Sequence, residues 1–304
     1  MGIKHLNQYL TSHCTEKSIQ SICLEALSGK TVVIDTSIYL YKFIGENALM
    51  ENMYLFISIL VHYRIQPIFV FDGKPPAEKE AEVKDRRDAR ESATTQAANL
   101  KEYLTDTNLN PKERNVLEFS LARLEFQGWH MTRDIRHTFQ RALWDMEIPY
   151  VKALGEADDV LADMSAAGKL DVVVSTDMDF LLSGVSRLWI PLRTRYDGFE
   201  EIRLDEVLSG EGLTLDGLRD AGILCGVEMF RGKVSISSHI AFSWVRYYKS
   251  IEGVLNSKID DVQLSVLRDS ELLEKVRSHF KTGPWDSRIR PDHLERCRAF
   301  MDAL

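Results

Sequence analysis

The chain reads as an α/β protein, a mostly parallel twisted sheet flanked by helices, with a helical insertion and a C-terminal helical region. Three observations predict this. Short apolar runs, Thr31-Val32-Val33-Ile34, Ile68-Phe69-Val70-Phe71, Tyr150-Val151 and Val172-Val173-Val174, alternate with helix-like segments. That alternation gives parallel strands covered on both faces. An acid stands at or just beyond each run: Asp35, Asp72, the pair Glu156 and Asp158, and the pair Asp177 and Asp179. Finally, residues 77 to about 146, between the second and third runs, are rich in charge and helix formers.

The first strand is expected near 31–35. A helix follows near 47–64, where Leu49, Met53, Phe56 and Leu60 recur at three- and four-residue steps. Pro67 precedes the second strand, and Gly73-Lys74-Pro75-Pro76 fixes a sharp exit from it. Pro111 punctuates the insertion, and Gly128 marks the end of a helix near 112–127. Strands near 149–153 and 171–176 enclose a short helix from Glu156 to Ala167. Further helices are expected at 204–209, 213–225, 238–249, 260–280 and 291–303, with a turn at Thr282-Gly283-Pro284. The chain thus divides into 1–76 and 147–225, two parts of one core, a 77–146 insertion projecting over the strand ends, and a helical region at 226–304.

Composition narrows the classes. An apolar fraction of 44% supports a sizeable core. No apolar stretch approaches the roughly 18 residues of a membrane span. The start, Met1-Gly2-Ile3-Lys4-His5-Leu6, has no secretory apolar region and no Ser or Thr at its sixth position. Cys14, Cys23, Cys225 and Cys297 are scattered and read as reduced thiols of an intracellular protein. The net charge of -8 means that any basic, nucleic-acid-facing surface is local and salt-sensitive.

The acids carry the chemistry. A carboxylate buried without a partner after a strand is costly. Several converging carboxylates need cations, and hard oxygen ligands favour Mg²⁺ or Mn²⁺. A seventh acid, Glu228, follows the helix ending Ile223-Leu224-Cys225-Gly226. Singly, either acid pair reads equally as a helix N-cap cluster. A haloacid dehalogenase-type phosphatase would want its Asp-x-Asp after the first strand, where this chain has Asp35-Thr36-Ser37. Lys79 and Arg86 are seven residues apart and share a helix face, with Arg90 one turn further. Intervening acids also allow a plain solvated helix.

Taken together, Met1-Gly2-Ile3, Val33-Ile34-Asp35-Thr36-Ser37, Val70 to Pro76, Gly155-Glu156-Ala157-Asp158 and Thr176-Asp177-Met178-Asp179 resemble the flap endonuclease/XPG group of structure-specific 5′-nucleases. The blocks stand in the family's order over roughly 1–250. The resemblance implies a PIN-like core, with the 77–146 insertion as a helical arch. It implies that Asp35, Asp72, Glu156, Asp158, Asp177, Asp179 and Glu228 bind two Mg²⁺ ions, with Mn²⁺ as a substitute. Lys79 and Arg86 become the catalytic basic pair. Arg90, Tyr41 (a base-stacking ring, or equally a core tyrosine) and Gly2 near the DNA junction become DNA contacts. The Tyr248-Lys249-Ser250-Ile251-Glu252 segment resembles the family again.

Two departures stand out. Glu228 replaces the family's usual Asp and is one methylene longer. The family's Gly-x-Gly hairpin, which grips duplex backbone and holds a monovalent ion, becomes Arg231-Gly232-Lys233-Val234-Ser235-Ile236-Ser237-Ser238. The second glycine is missing, leaving the duplex grip and the monovalent-ion site open. Arg231, Lys233, Ser235, Ser237 and Ser238 offer side-chain phosphate contacts in its place. The expected function is two-metal hydrolysis of DNA at 5′ flaps, ends, gaps or junctions, in the nucleus or cytoplasm. The expected state is a monomer, or a dimer on four-way junctions, with no sliding-clamp peptide after residue 280. The alternatives are an RNase of the same fold and a catalytically inactive scaffold.

Overall fold

The computed structural model describes residues 3, 6–76, 79–105, 110–168, 170–191, 198–230, 232–259 and 261–303, without the side chains at 81, 82, 228, 296, 301 and 303. One seven-stranded sheet organises them. Its strands are β1 (Ile19–Cys23), β2 (Thr31–Asp35), β3 (Gln66–Phe71), β4 (Tyr150–Lys152), β5 (Val172–Val174), β6 (Arg187–Pro191) and β7 (Gly198–Arg203), in the order β1-β7-β6-β5-β2-β3-β4. Strands β2 to β6 are parallel, and β7 and β1 complete one edge antiparallel.

Period-two alternation supplies two cores. Val33, Ile68, Val70, Val173 and Leu188 face one layer, while Val32, Ile34, Phe69, Phe71 and Val174 face the other. All five residues of β2 are buried, as expected for a strand covered on both sides. Full burial of each such side chain is worth about 1.5–3 kcal/mol.

Helices α1 (Leu6–His13), α2 (Thr36–Gly45), α3 (Leu49–His62), α4 (Glu80–Tyr103), α5 (Pro111–Gly128) and α6 (Arg133–Asp145) occupy the first half. In the insertion, α4 and α5 pack on each other, and Ala93 and Ala97 are among the few buried residues there. No residue of α5 is buried. The expected extent of the projecting insertion is corrected at its end. Helix α6 belongs to the core, because Phe139 packs 5.7 Å from Phe69 and 5.9 Å from Phe71, ring to ring.

The second half adds α7 (Ala157–Ala166), α8 (Asp179–Leu182), α9 (Leu204–Glu211), α10 (Leu215–Gly226), α11 (Ser238–Tyr248), α12 (Ile251–Leu255), α13 (Ser270–His279) and α14 (Pro291–Ala303). The single helix expected over 260–280 is instead a 3-10 segment, Val262–Arg268, followed by α13. Asp269 breaks it, because its carboxylate caps α13 by accepting from Leu272 N at 3.1 Å. Among the described residues, no helix is long and apolar enough to cross a membrane.

Candidate active site

The parallel register brings the acid-bearing strand ends to one edge. Central β2 lies between β5 and β3, so Asp35 stands between the turns that carry Asp177 and Asp72. Asp35 is 8% exposed. Its Oδ1 accepts from Ser37 N at 3.0 Å, and its Oδ2 accepts from Ser175 Oγ at 3.1 Å. Asp72 accepts from Ser37 Oγ at 2.6 Å and from Ala157 N at 3.0 Å. The Ala157 bond ties Asp72 to the first turn of α7, where Glu156 is the N-cap. Asp177 Oδ1 accepts from Asp179 N at 2.9 Å, and Asp177 N donates to Ser175 Oγ at 3.2 Å.

Electrostatics records the convergence. Burial, then the charge of Asp72 and that of Asp177, raises Asp35 to about 7, against hydrogen bonds from Ser175 and Ser37. Desolvation by the surrounding walls, then Asp35, Asp177, Asp72 and Glu156, pushes Asp158 well above the carboxylate range, although the residue keeps an open face to solvent. Carboxyls raised in this way bind protons on folding. Their contribution to stability therefore falls as pH rises from about 4, where an unfolded carboxyl ionises, toward 7.

Lys79 completes the cluster. Its Nζ lies 2.9 Å from Glu156 Oε1, with both side chains about one-fifth exposed. Asp158, Asp177 and Asp179 line a cleft of about 50 Å³ together with Lys79. Arg86 and Arg90 are half-buried further along α4 and are not in that wall. Tyr41 is 40% exposed, its ring edge-on to Trp129 at 5.5 Å, which removes the core-facing alternative.

The remaining expected contacts divide. Gly2 and Arg231 lie outside the described residues, as does the side chain of Glu228. Lys233, Ser235 and Ser237 are exposed. Ser238 is 5% exposed beside Cys225, so its assignment as a phosphate contact is corrected: burial withdraws its hydroxyl from the surface. Among the described residues, no three His, Cys, Asp or Glu side chains are already closed around one point. Ser37 donates to both Asp35 and Asp72, Ser175 links Asp35 to the Asp177 backbone, Ala157 N holds Asp72, and Lys79 holds Glu156.

Sequence reasoning missed those two serines, and it read Gly73 only as part of a sharp strand exit. A Cβ on Gly73 would sit 2.2 Å from Ala153 O and 2.5 Å from Leu154 O. Only glycine lets the Asp72 loop close on the Glu156 loop, where Gly73 N donates to Gly155 O at 2.7 Å.

Comparison with known proteins fits this geometry. The XPG N-terminal domain model matches residues 1–93 and the XPG I-region model matches residues 147–228. Flap endonuclease 1 of Komagataella phaffii is 30% identical over 277 residues, covering 84% of this chain and 70% of the relative. The chain belongs to the flap endonuclease/XPG family. Flap endonuclease 1 of Theileria annulata is 29% identical over 318 residues, covering 97% of this chain but 59% of its own length. The catalytic core of Rad2 with DNA substrate superposes with a TM-score of 0.64 at 16% identity, covering 99% of this chain and 94% of that one. The Holliday junction-resolving enzyme GEN1 with product DNA and Mg²⁺ gives 0.59 at 16%, covering 98% and 68%. At that identity the two structures establish the shared fold. The first family model takes in Asp35 and Asp72 and ends within α4, and the second takes in Glu156, Asp158, Asp177 and Asp179.

Proposed function

We propose that this member of the family is a structure-specific 5′-nuclease that hydrolyses DNA phosphodiesters at flaps, ends or junctions, in DNA replication, repair or recombination in the nucleus or cytoplasm. The observation that carries it is the gathering of Asp35, Asp72, Glu156, Asp158, Asp177 and Asp179 at one sheet edge beside Lys79. The donor set fits hard divalent cations. It is all oxygen, and burial together with the neighbouring carboxylate charges raises Asp35 and Asp158, a crowding of charge that bound cations would relieve. Asp35, Asp72, Glu156 and Asp158 would hold or orient one Mg²⁺, and Asp177, Asp179 and Glu228 a second. When bound, such ions supply Lewis-acid stabilisation at the scissile phosphate.

The chain's own groups do the rest. Ser37 and Ser175 fix the carboxylate orientations of Asp72 and Asp35. The Lys79 ammonium stands where negative charge develops on the phosphate, with Arg86 as a positioning group. The products carry 5′-phosphate and 3′-hydroxyl ends. The scissile nucleotide has to leave its duplex to reach a cleft this narrow, which costs a few kcal/mol and favours ends and flaps. Tyr41, exposed at the end of the arch, offers a ring for an unpaired base. The DNA complexes of Rad2 and GEN1 support a DNA partner.

Lys79→Ala is expected to lower single-turnover cleavage of a 5′-flap DNA about 10²-fold while binding changes less than threefold. Stopped-flow cleavage and fluorescence anisotropy read the two quantities. Equal losses would make Lys79 a binding group only.

A further inference from the structure

The two edges of the sheet end differently. At β4 the chain closes its own edge: Leu154 N donates to Arg288 O at 2.8 Å, Arg290 N donates to Lys152 O at 2.9 Å, and Ala153 bridges Ile289 between them. At the other edge no strand lies beyond β1 among the described residues. Native proteins blunt such edges with charge, proline or a bulge. The β1 sequence, Ile19-Gln20-Ser21-Ile22-Cys23, has no charge and no proline, and it pairs β7 in unbroken register. Gln20, Ser21 and Cys23 are exposed.

The ladder fixes which backbone groups point outward. Arg203 N donates to Ser18 O at 2.9 Å, so in this register the even-numbered residues of β1 exchange hydrogen bonds with β7. The N–H and C=O groups of Ile19, Ser21 and Cys23 therefore face away from the sheet. Of these, Ile19 N is engaged by Thr15 O at 3.2 Å, and Cys23, the N-cap of the 3-10 turn Leu24–Leu27, gives its carbonyl to that turn. Ser21 N, Ser21 O, Cys23 N and Ile19 O remain. An antiparallel copy of the same strand, with its two-fold axis at Ser21, uses every one of them. Ser21 N donates to Ser21 O of the second copy and Cys23 N to its Ile19 O, and both bonds are repeated across the axis. The flanking charges fit the same axis. Lys17 of one copy takes the register position of Glu25 of the other, and both residues are exposed. The open groove beside this edge, about 780 Å³, sets Lys17 and Arg203 among Glu16 and Glu206. That balance suits a like surface and offers no cation excess to a nucleic-acid backbone.

We propose that β1 is a self-association edge: a second copy of this chain adds its own β1 antiparallel, and the two seven-stranded sheets become one. Ile19 of each copy then stands opposite Cys23 of the other and covers its thiol. Strand β1 runs in the direction of β2 to β6, because β7 is antiparallel to both β1 and β6. The parallel strands of the second copy run the opposite way, so the two acid-bearing edges face opposite ends of the joint sheet. Each cleft stays open. Association therefore leaves cleavage per chain unchanged and needs neither DNA nor divalent cations.

Sedimentation velocity of the DNA-free protein in EDTA, over a wide concentration range, tests this. The wild type is expected to pass reversibly from one chain mass to two. Cys23 is the exposed cysteine of the chain, and its reaction with a thiol reagent is expected to slow over the same range. Ser21→Pro removes a donor on each side of the axis, while an outward N–H on an edge strand tolerates proline. Dimerisation should weaken about tenfold or more, at an unchanged urea midpoint. Lys17→Glu sets acid against acid and should weaken the dimer about fivefold at low salt, and adding Glu25→Lys should restore it. These exposed charge positions carry the test if Ser21→Pro lowers the urea midpoint. A wild type that keeps one chain mass at every concentration would overturn the proposal, including the case in which this edge takes a strand from another protein. A dimer left at full strength by Lys17→Glu or by a folded Ser21→Pro, or not restored by Glu25→Lys, would overturn it as well.

Discussion

Asp177→Ala is expected to reduce cleavage of a 5′-flap DNA on the order of 10³-fold, about 4 kcal/mol of barrier, while the protein stays folded. Asp177 is where site and stability pull apart. Its charge raises both Asp35 and Asp158, and its Oδ1 accepts from Asp179 N. Alanine removes a repelling charge from a crowded acidic edge, so without divalent cations the variant should unfold at equal or higher urea than the wild type. Loss of activity with retained stability marks a group kept for function. Steady-state cleavage and urea denaturation at one pH measure both sides. A variant that cleaves normally, or one that is inactive because it is unfolded, contradicts the assignment.

Arg277→Ala should cost about 3–5 kcal/mol of stability. Arg277 on α13 grips Asp220 of α10, with Nη2 at 2.8 and 2.9 Å and Nε at 2.9 Å, and also reaches Glu252 and Glu274. Asp220 is 3% exposed and also accepts from Ile251 N at 2.9 Å, so one carboxylate joins α10, α12 and α13. Burial raises Asp220, and the Ile251 bond and Arg277 oppose that rise. Truncating the arginine strands a buried carboxylate, which is why the cost exceeds that of a surface pair. Urea unfolding at constant m measures it, and Asp220→Asn in the same background should recover much of the loss. A loss below about 1 kcal/mol would place the pair among ordinary surface bridges.

The strands that carry the acids were legible because they are buried on both faces and read as unbroken apolar runs. The antiparallel edge was not. Strand β7 contains Glu200 and Glu201, and alternation alone argues against burying either. Glu201 is nevertheless 1% exposed, satisfied by Trp189 Nε1 at 3.0 Å, Gln20 Nε2 at 2.8 Å and Arg187 at 2.9 Å. Those partners come from neighbouring strands, so sequence order conceals them. Most of β1 is half-buried or exposed, which leaves little periodic signal. Helix α2 also went unread, although Asp35 caps it through Ser37 N.

The same distinction holds at the candidate site. The acids were legible because so many of them directly follow apolar runs, where a buried carboxylate without a partner is costly. The serines that orient them were not, since Ser37 and Ser175 gain their meaning only when β2 lies beside β3 and β5.

The central claim is that these acids form one cation-holding site beneath Lys79. Calorimetric titration of the wild-type protein with Ca²⁺, an oxygen-seeking ion suited to such ligands, tests it directly. Two ions should bind per chain at pH 8. Binding should be weaker at pH 6, because Asp35, raised to about 7, must release a proton to coordinate. Asp35→Asn should bind weakly at both pH values. No saturable heat at pH 8, or heats that Asp35→Asn leaves unchanged, would contradict the account.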